Sequence, residues 1–290
     1  MAFDYERLIN FKRELEQSYT ARDTILYALG VGAGIDAETS PQLRFVCEQI
    51  EGYPLQALPT MSCVLAAPGF WQREPQFNID WQKILHGEQS VTMHKPLPVE
   101  GEIRAELSIE AIYDKGEGKG ALLYLLREVF DKKTGDHLAT IRQNSFLRGN
   151  GGQGGLKDGA PKPHPLPTDR DADITVSLPT RWEQALIYRL SGDYNPLHAA
   201  PEAAKASGFD RPILHGLASY GVVGRAILAA LCEDDATRLK RLDVRFSSPV
   251  FPGDTIVTEI WRDAAGKASF RARAAERDVV VINNGYAEYQ

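Results

Sequence analysis

Asp193 and His198 are separated by Tyr194-Asn195-Pro196-Leu197. A carboxylate and a neutral imidazole at that spacing could hold one water between them, one group accepting a proton and the other supplying one. Asn and Pro between them impose a bend instead of a helix, so the two side chains can converge. The competing reading has Asp193 capping the turn and His198 simply packed. Further on, Arg211-Pro212-Ile213-Leu214-His215-Gly216 leads into a long apolar segment. Gly216 at a helix start would offer a backbone N–H, reinforced by the helix dipole, to a developing oxyanion. Its missing side chain would let a ligand approach the backbone. A glycine placed there for close packing is the alternative, and His215 reads as structural.

Other chemistries find less support. There is no G-x-S-x-G elbow for a serine hydrolase. The six histidines are scattered, with no H-x-x-x-H pair, and Cys47, Cys63 and Cys232 show no C-x-x-C spacing, so no metal site is expected. The cysteines read as buried thiols in a reducing compartment. Gly30-Val31-Gly32-Ala33-Gly34 lacks the spacing, the preceding strand and the following helix of a dinucleotide site. With a formal net charge of −6 over 290 residues and no basic block, nucleic acid is not expected as a partner. No signal peptide, membrane-length apolar run or peroxisomal C-terminal address is read, and a cytoplasmic location is the expectation. Arg245, Lys115 and Lys119 could contact phosphate, against the alternative of solvated surface charge.

The elements that must position these groups come in two runs. In the first, helices are expected over residues 21–29 and 40–49 and a buried strand over 61–66. A meander of strands follows over 91–95, 102–113, 121–130 and 137–147. A Gly/Pro-rich stretch, 149–170, reads as a linker. The second run expects helices over 179–190, 200–205 and 213–231, then strands over 242–246, 255–261, 268–274 and 279–287. Gly216, Ala218, Gly221 and Gly224 should let a sheet wrap closely around the long helix. Tyr27 to Gly32 echoes Tyr188 to Asp193, and Pro96 to Ile103 echoes Pro249 to Ile256. The echo points to a duplicated helix-plus-antiparallel-sheet unit, residues 1–148 and 171–290, with the Asp and His in the second copy alone.

Tyr188-Arg189-Leu190-Ser191-Gly192-Asp193-Tyr194-Asn195-Pro196-Leu197-His198, with Pro212-Ile213-Leu214-His215-Gly216-Leu217, resembles the hydratase-2 motif of the MaoC-like dehydratases. Nearly the whole chain is similar to the 2-enoyl-CoA hydratase 2 branch of that family, through Leu85-His86-Gly87-Glu88-Gln89, Lys95-Pro96-Leu97-Pro98, Asp114-Lys115-Gly116 and Arg245-Phe246. Residues 66–78 match poorly. The resemblance implies an α+β double hot-dog fold, two antiparallel sheets wrapped around long helices, and reversible syn hydration of a trans-2-enoyl-CoA to a (3R)-3-hydroxyacyl-CoA. It casts Asp193 and His198 as the acid/base pair, Asn195 as the residue ordering the site and Gly216 as the oxyanion donor, and aligns Glu48 with an acidic position linked to activity. Substrate contacts fall on His86, Gly87, Lys115, Tyr194, Pro196, Leu197 and Phe246, with Arg245 beside it. No metal or redox cofactor is implied, coenzyme A being part of the substrate, and the family suggests a homodimer. Three other readings remain open: a dehydratase on a specialised acyl-CoA or carrier-protein thioester, a hot-dog thioesterase, and a silent acyl-CoA-binding module.

Overall fold

The computed structural model describes residues 3–35 and 41–290. Ten strands form one antiparallel sheet: β1 (Lys12–Tyr19), β2 (Ile84–Met93), β3 (Gly101–Asp114), β4 (Ala121–Asp131), β5 (His137–Leu147), β6 (Ile174–Pro179), β7 (Leu239–Phe246), β8 (Thr255–Ala264), β9 (Lys267–Ala274) and β10 (Val279–Tyr289). Their spatial order is β1-β3-β4-β5-β2-β7-β10-β9-β8-β6. Read inward from either edge, each half runs first, third, fourth, fifth, second. The two halves therefore share one topology and meet where their second strands pair. That pairing is antiparallel and centres on Ser90 opposite Asp243, the geometry of a pseudo-twofold axis. Ser90 Oγ donates to Asp243 Oδ1 across it at 2.6 Å. The two sheets implied by the resemblance to a double hot-dog are thus joined through β2 and β7 into one continuous sheet.

Among the described residues five α-helices accompany it: α1 (Tyr5–Ile9), α2 (Ala21–Gly30), α3 (Gln184–Tyr188), α4 (Pro201–Ala206) and α5 (Gly216–Leu231). The longest of these is α5, with 16 residues, and its apolar composition keeps it buried along most of its length. The first half packs a short 3₁₀ turn, Pro59–Cys63, against α5 and, among the described residues, has no helix of comparable length. The strand expected over 61–66 is therefore this turn and the bend after it. Pro59 opens it because proline suits a first helical position but offers no ladder N–H. Residues 41–49 begin with a 3₁₀ turn, Pro41–Phe45, not a longer helix, and Ser40 lies outside the described residues.

Gly221 and Gly224 serve a different contact from the one expected. A Cβ on Gly221 would sit 2.4 Å from Val31 Cγ1, and one on Gly224 would sit 2.8 Å from Thr60 Cγ2. The small residues admit the irregular connections of the first half, not mainly the sheet. Arg225, buried on α5, reinforces the junction by donating to Val31 O at 2.9 Å and to Gln42 Oε1. Tyr27 and Tyr188, matched in the internal echo, pack with ring centroids 5.9 Å apart.

The stretch 149–170 connects the halves but is pinned. Asp114 accepts from the N–H groups of Gly152 and Gly154, and His164 meets Ser269 Oγ at 2.8 Å. Among the described residues no helix is long and apolar enough to cross a membrane.

Candidate active site

The chain leaves α3 through a 3₁₀ turn, Arg189–Ser191, that ends at Gly192 with φ +119°. This left-handed backbone is open to glycine and strained for most other residues. Beyond it, Asp193 Oδ1 accepts from the N–H of Asn195 at 3.1 Å, and Asn195 Oδ1 accepts from the N–H of Leu197 at 3.1 Å. Asn195 thereby caps the 3₁₀ turn Pro196–His198, with Pro196 at its first position. Residues 192–196 are exposed, Leu197 is half-buried, and His198 is 8% exposed. The Tyr194 ring lies beneath the Arg189 guanidinium at 4.9 Å.

His198 points its Nδ1 at the carbonyl oxygen of Ile213, 2.9 Å away. A neutral imidazole bound this way donates Nδ1–H and leaves the Nε2 lone pair free. Burial pushes its pKa below the usual imidazole value, partly opposed by the Ile213 carbonyl and by Asp193. His215 stacks on it at 3.7 Å between centroids, and its Nε2–H donates to Asp193 O at 3.1 Å. Burial and the neighbouring His198 lower the His215 pKa to about 4. His215 therefore touches both members of the pair, a role its position beside Gly216 did not reveal. The available signal was an imidazole within an otherwise apolar helix entry.

Gly216 is the first residue of α5, and no side chain caps that helix start. The leading N–H groups of a helix lack intrahelical partners, so an uncapped start is an anion-binding position. A Cβ on Gly216 would lie 3.5 Å from Phe246 Cε1. Phe246, at the end of β7, meets His86 edge-to-face at 4.8 Å. His86 comes from β2, where the register to β5 slips between His86 and Glu88. This bulge places Gly87 over Asn144: a Cβ there would fall 2.4 Å from Asn144 Oδ1. Burial lowers the His86 pKa to about 4, while Asp193 acts in the opposite direction.

The other expected contacts are peripheral. Arg245 is exposed and faces Glu88 in the β2–β7 register. Lys115 is exposed in the turn after β3, with Nζ 5.5 Å above the Phe146 ring. Phe146 pairs with Leu85 next to His86, so Lys115 lies at the same end of the sheet as the site. Glu48 is exposed on a bend after Phe45, and among the described residues no hydrogen bond or ion pair joins it to the Asp193–His198 turn.

Among the described residues, folding gathers four of the six histidines into two groups whose donor atoms lie within 4.8 Å of one another: Asp193, His198 and His215, and His94, Glu128 and His137. In the first, both imidazoles already engage backbone carbonyls. The second is a closed hydrogen-bonded set, with His137 Nε2 2.7 Å from Glu128 Oε2 and His94 Nε2 2.8 Å from Thr140 Oγ.

Residues 164–284 match the MaoC like domain, and residues 17–149 match the MFE-2 hydratase 2 N-terminal domain. The chain is 42% identical over 276 residues to 3-hydroxyacyl-thioester dehydratase Y of Mycobacterium tuberculosis, covering 93% of each chain. It is 35% identical over 290 residues to the peroxisomal enoyl-CoA hydratase 2 of Arabidopsis thaliana, covering 95% of this chain and 91% of that one. The crystal structure of a MaoC-like dehydratase from Phytophthora capsici superposes with a TM-score of 0.86 at 35% identity, covering 99% of both chains.

Proposed function

Because the chain belongs to the MaoC-like dehydratases, in their hydratase 2 branch, we propose that it adds water reversibly to trans-2-enoyl-CoA thioesters to give (3R)-3-hydroxyacyl-CoA. One observation carries the reading: an uncapped helix start at Gly216 stands beside an Asp193–His198 pair whose imidazole has Nε2 free. The thioester oxygen accepts the Gly216 N–H, which draws electron density from C3. Water held between Asp193 and His198 attacks C3 as His198 Nε2 takes its proton. The imidazolium, steadied by Asp193, returns that proton to C2 on the same face. Dehydration is the same path reversed. The R configuration rests on the relationship; the acid–base and oxyanion parts rest on the residues. One preorganised backbone donor is worth about 3–4 kcal/mol at the transition state, and these steps call for no metal or redox cofactor.

The sequence of the first half has no His before His86 and so no acid–imidazole pair after its echo, Tyr27 to Gly32, and a 3₁₀ turn, Pro59–Cys63, packs against α5. We assign the first half to housing the acyl chain. His86, Gly87 and Phe246 would flank the thioester, and Lys115 and Arg245 would meet the coenzyme A phosphates. A homodimer and a cytoplasmic location complete the proposal, although the Arabidopsis thaliana relative is named as peroxisomal.

The test is incubation with short- and medium-chain trans-2-enoyl-CoA and chiral analysis of the product. A (3R)-3-hydroxyacyl-CoA is expected. Release of free CoA would make the protein a thioesterase, and no turnover of either substrate would also reject the reading. Asp193→Asn and His198→Gln should keep the fold and each lower kcat by about 10²–10⁴-fold.

A further inference from the structure

The pseudo-twofold axis relates more than strands. One constant offset carries Ser90 to Asp243, the centre of the β2–β7 pairing, and also Pro96 to Pro249 and Ile103 to Ile256 in the sequence echo. The same offset carries Met93 to Phe246, and carries His86 and Gly87 to Leu239 and Lys240. The residues flanking the thioester position therefore have counterparts at the opposite end of β2 and β7.

Those counterparts enclose a cavity of about 230 Å³. Met93 stands in place of Phe246, Leu239 in place of His86, and Lys240 in place of Gly87. Pro59, which lines the cavity and opens the 3₁₀ turn Pro59–Cys63, is by the same offset the counterpart of Pro212, and Cys63 that of Gly216. Leu97 lines the wall, as the counterpart of Val250, whose carbonyl oxygen accepts from Leu214 N–H at the catalytic end. The chemistry is gone from this end: Leu239 replaces the imidazole of His86, and a five-residue 3₁₀ turn ends at Cys63, the counterpart of Gly216, where the long helix α5 begins. The space remains. An apolar cavity of about 150 Å³ already holds benzene, so this one takes a longer hydrocarbon.

We propose that this cavity binds the alkyl chain of a fatty carboxylate as a second, non-catalytic site. Its lining is mainly apolar, with Leu55, Ala57, Met93, Leu97, Val99 and Leu239 among its residues. Lys240 lies in its wall, with Nζ donating to the Thr237 carbonyl oxygen at 2.8 Å, and Lys95 lies beside it in an exposed pair with Asp136. The ammonium of Lys240 can therefore meet an anionic head while the chain fills the cavity. The choice of an acyl-like ligand rests on the reading of the catalytic end as an acyl-thioester site.

The experiment is calorimetric titration of the full chain with hexanoate, octanoate and decanoate, beside the enoyl-CoA hydration assay. Binding should tighten about fourfold per added methylene until the cavity is full. Val99→Trp, which places an indole into the wall, should abolish it. Lys240→Glu, which leaves the interior intact and so bears little on folding, should weaken it about tenfold. His198→Gln should leave carboxylate binding unchanged while hydration is lost. No binding by the wild type would overturn the proposal. So would binding that survives both Val99→Trp and Lys240→Glu and is lost in His198→Gln, because the carboxylate would then occupy the catalytic end. The hydration assay reads the catalytic proposal separately in every arm.

Discussion

His198 owes its chemistry to two neighbours and to burial. Ile213 fixes its tautomer, and burial lowers its pKa below the ordinary imidazole value. A base of this kind works only unprotonated, so kcat/KM should fall as pH drops through a pKa displaced below the ordinary 6.5. A pH–rate profile checks this, and an acid limb centred above 6.5 would contradict it. His215 is a positioning residue: it stacks on His198 and donates to the Asp193 carbonyl. His215→Phe preserves the stack and removes the N–H. A lost hydrogen bond of about 1 kcal/mol corresponds to roughly a fivefold fall in kcat with KM nearly unchanged. Steady-state kinetics separate the two parameters, and an equal rise in KM would point to a general loss of structure instead.

Among the elements, α5 has two duties. Its uncapped start faces the Asp193–His198 turn, and its middle receives the first half of the chain through Gly221 and Gly224. Gly221→Ala would press a methyl into Val31 at 2.4 Å, tighter than a relaxed Cβ contact. Overpacking of this kind costs about 1–3 kcal/mol. The denaturation midpoint should fall by a corresponding amount while turnover per folded molecule holds, since the substituted position lies more than one turn along α5 from Gly216. An unchanged midpoint would mean that the Val31 segment yields freely. β2 likewise serves both halves: its bulge presents His86 to the site, and its other face of hydrogen bonds joins β7.

The whole molecule is two copies of one strand order locked at β2–β7, and the site draws on both. His86 comes from the first copy, whereas Asp193, His198, Gly216 and Phe246 come from the second. Residues 171–290 alone would expose one edge of β7 and the face of α5 that meets Val31 and Thr60. We expect this fragment to be inactive and incompletely folded by circular dichroism, and a native-like, active fragment would refute the interdependence. Acid stability is also a property of the assembled fold. His86 and His215 have folded pKa values of about 4 against about 6.5 unfolded. The unfolded chain therefore binds protons first as pH falls. Stability should be full above about pH 6.5 and decline toward pH 4, by up to about 1.4 kcal/mol per pH unit for buried His215. Urea midpoints between those values test the sign.

Much of this protein is local, and the local part was legible. The bend from Ser191 to His198 is dictated by its own Gly, Asn and Pro, so residue type and spacing alone pointed to a convergent acid and imidazole. Strands with one buried face alternate, so β3, β4, β5 and β8–β10 could be placed from the pattern. The edge strand β1 escaped because most of its residues are exposed and charged, leaving little alternation to read. β6, the other edge, alternates over six residues beside the Pro-rich stretch and was passed over. Residues 61–66 read as a buried strand, but Pro59 and the close approach of Thr60 to Gly224 make that segment a 3₁₀ turn and the bend after it. Other facts belong to tertiary structure alone. The pairing of Ser90 with Asp243 brings His86 to Phe246, and chain folding seats His215 on His198. No local pattern encodes either meeting, because each depends on groups far apart in sequence sharing a buried space where water no longer sets their protonation.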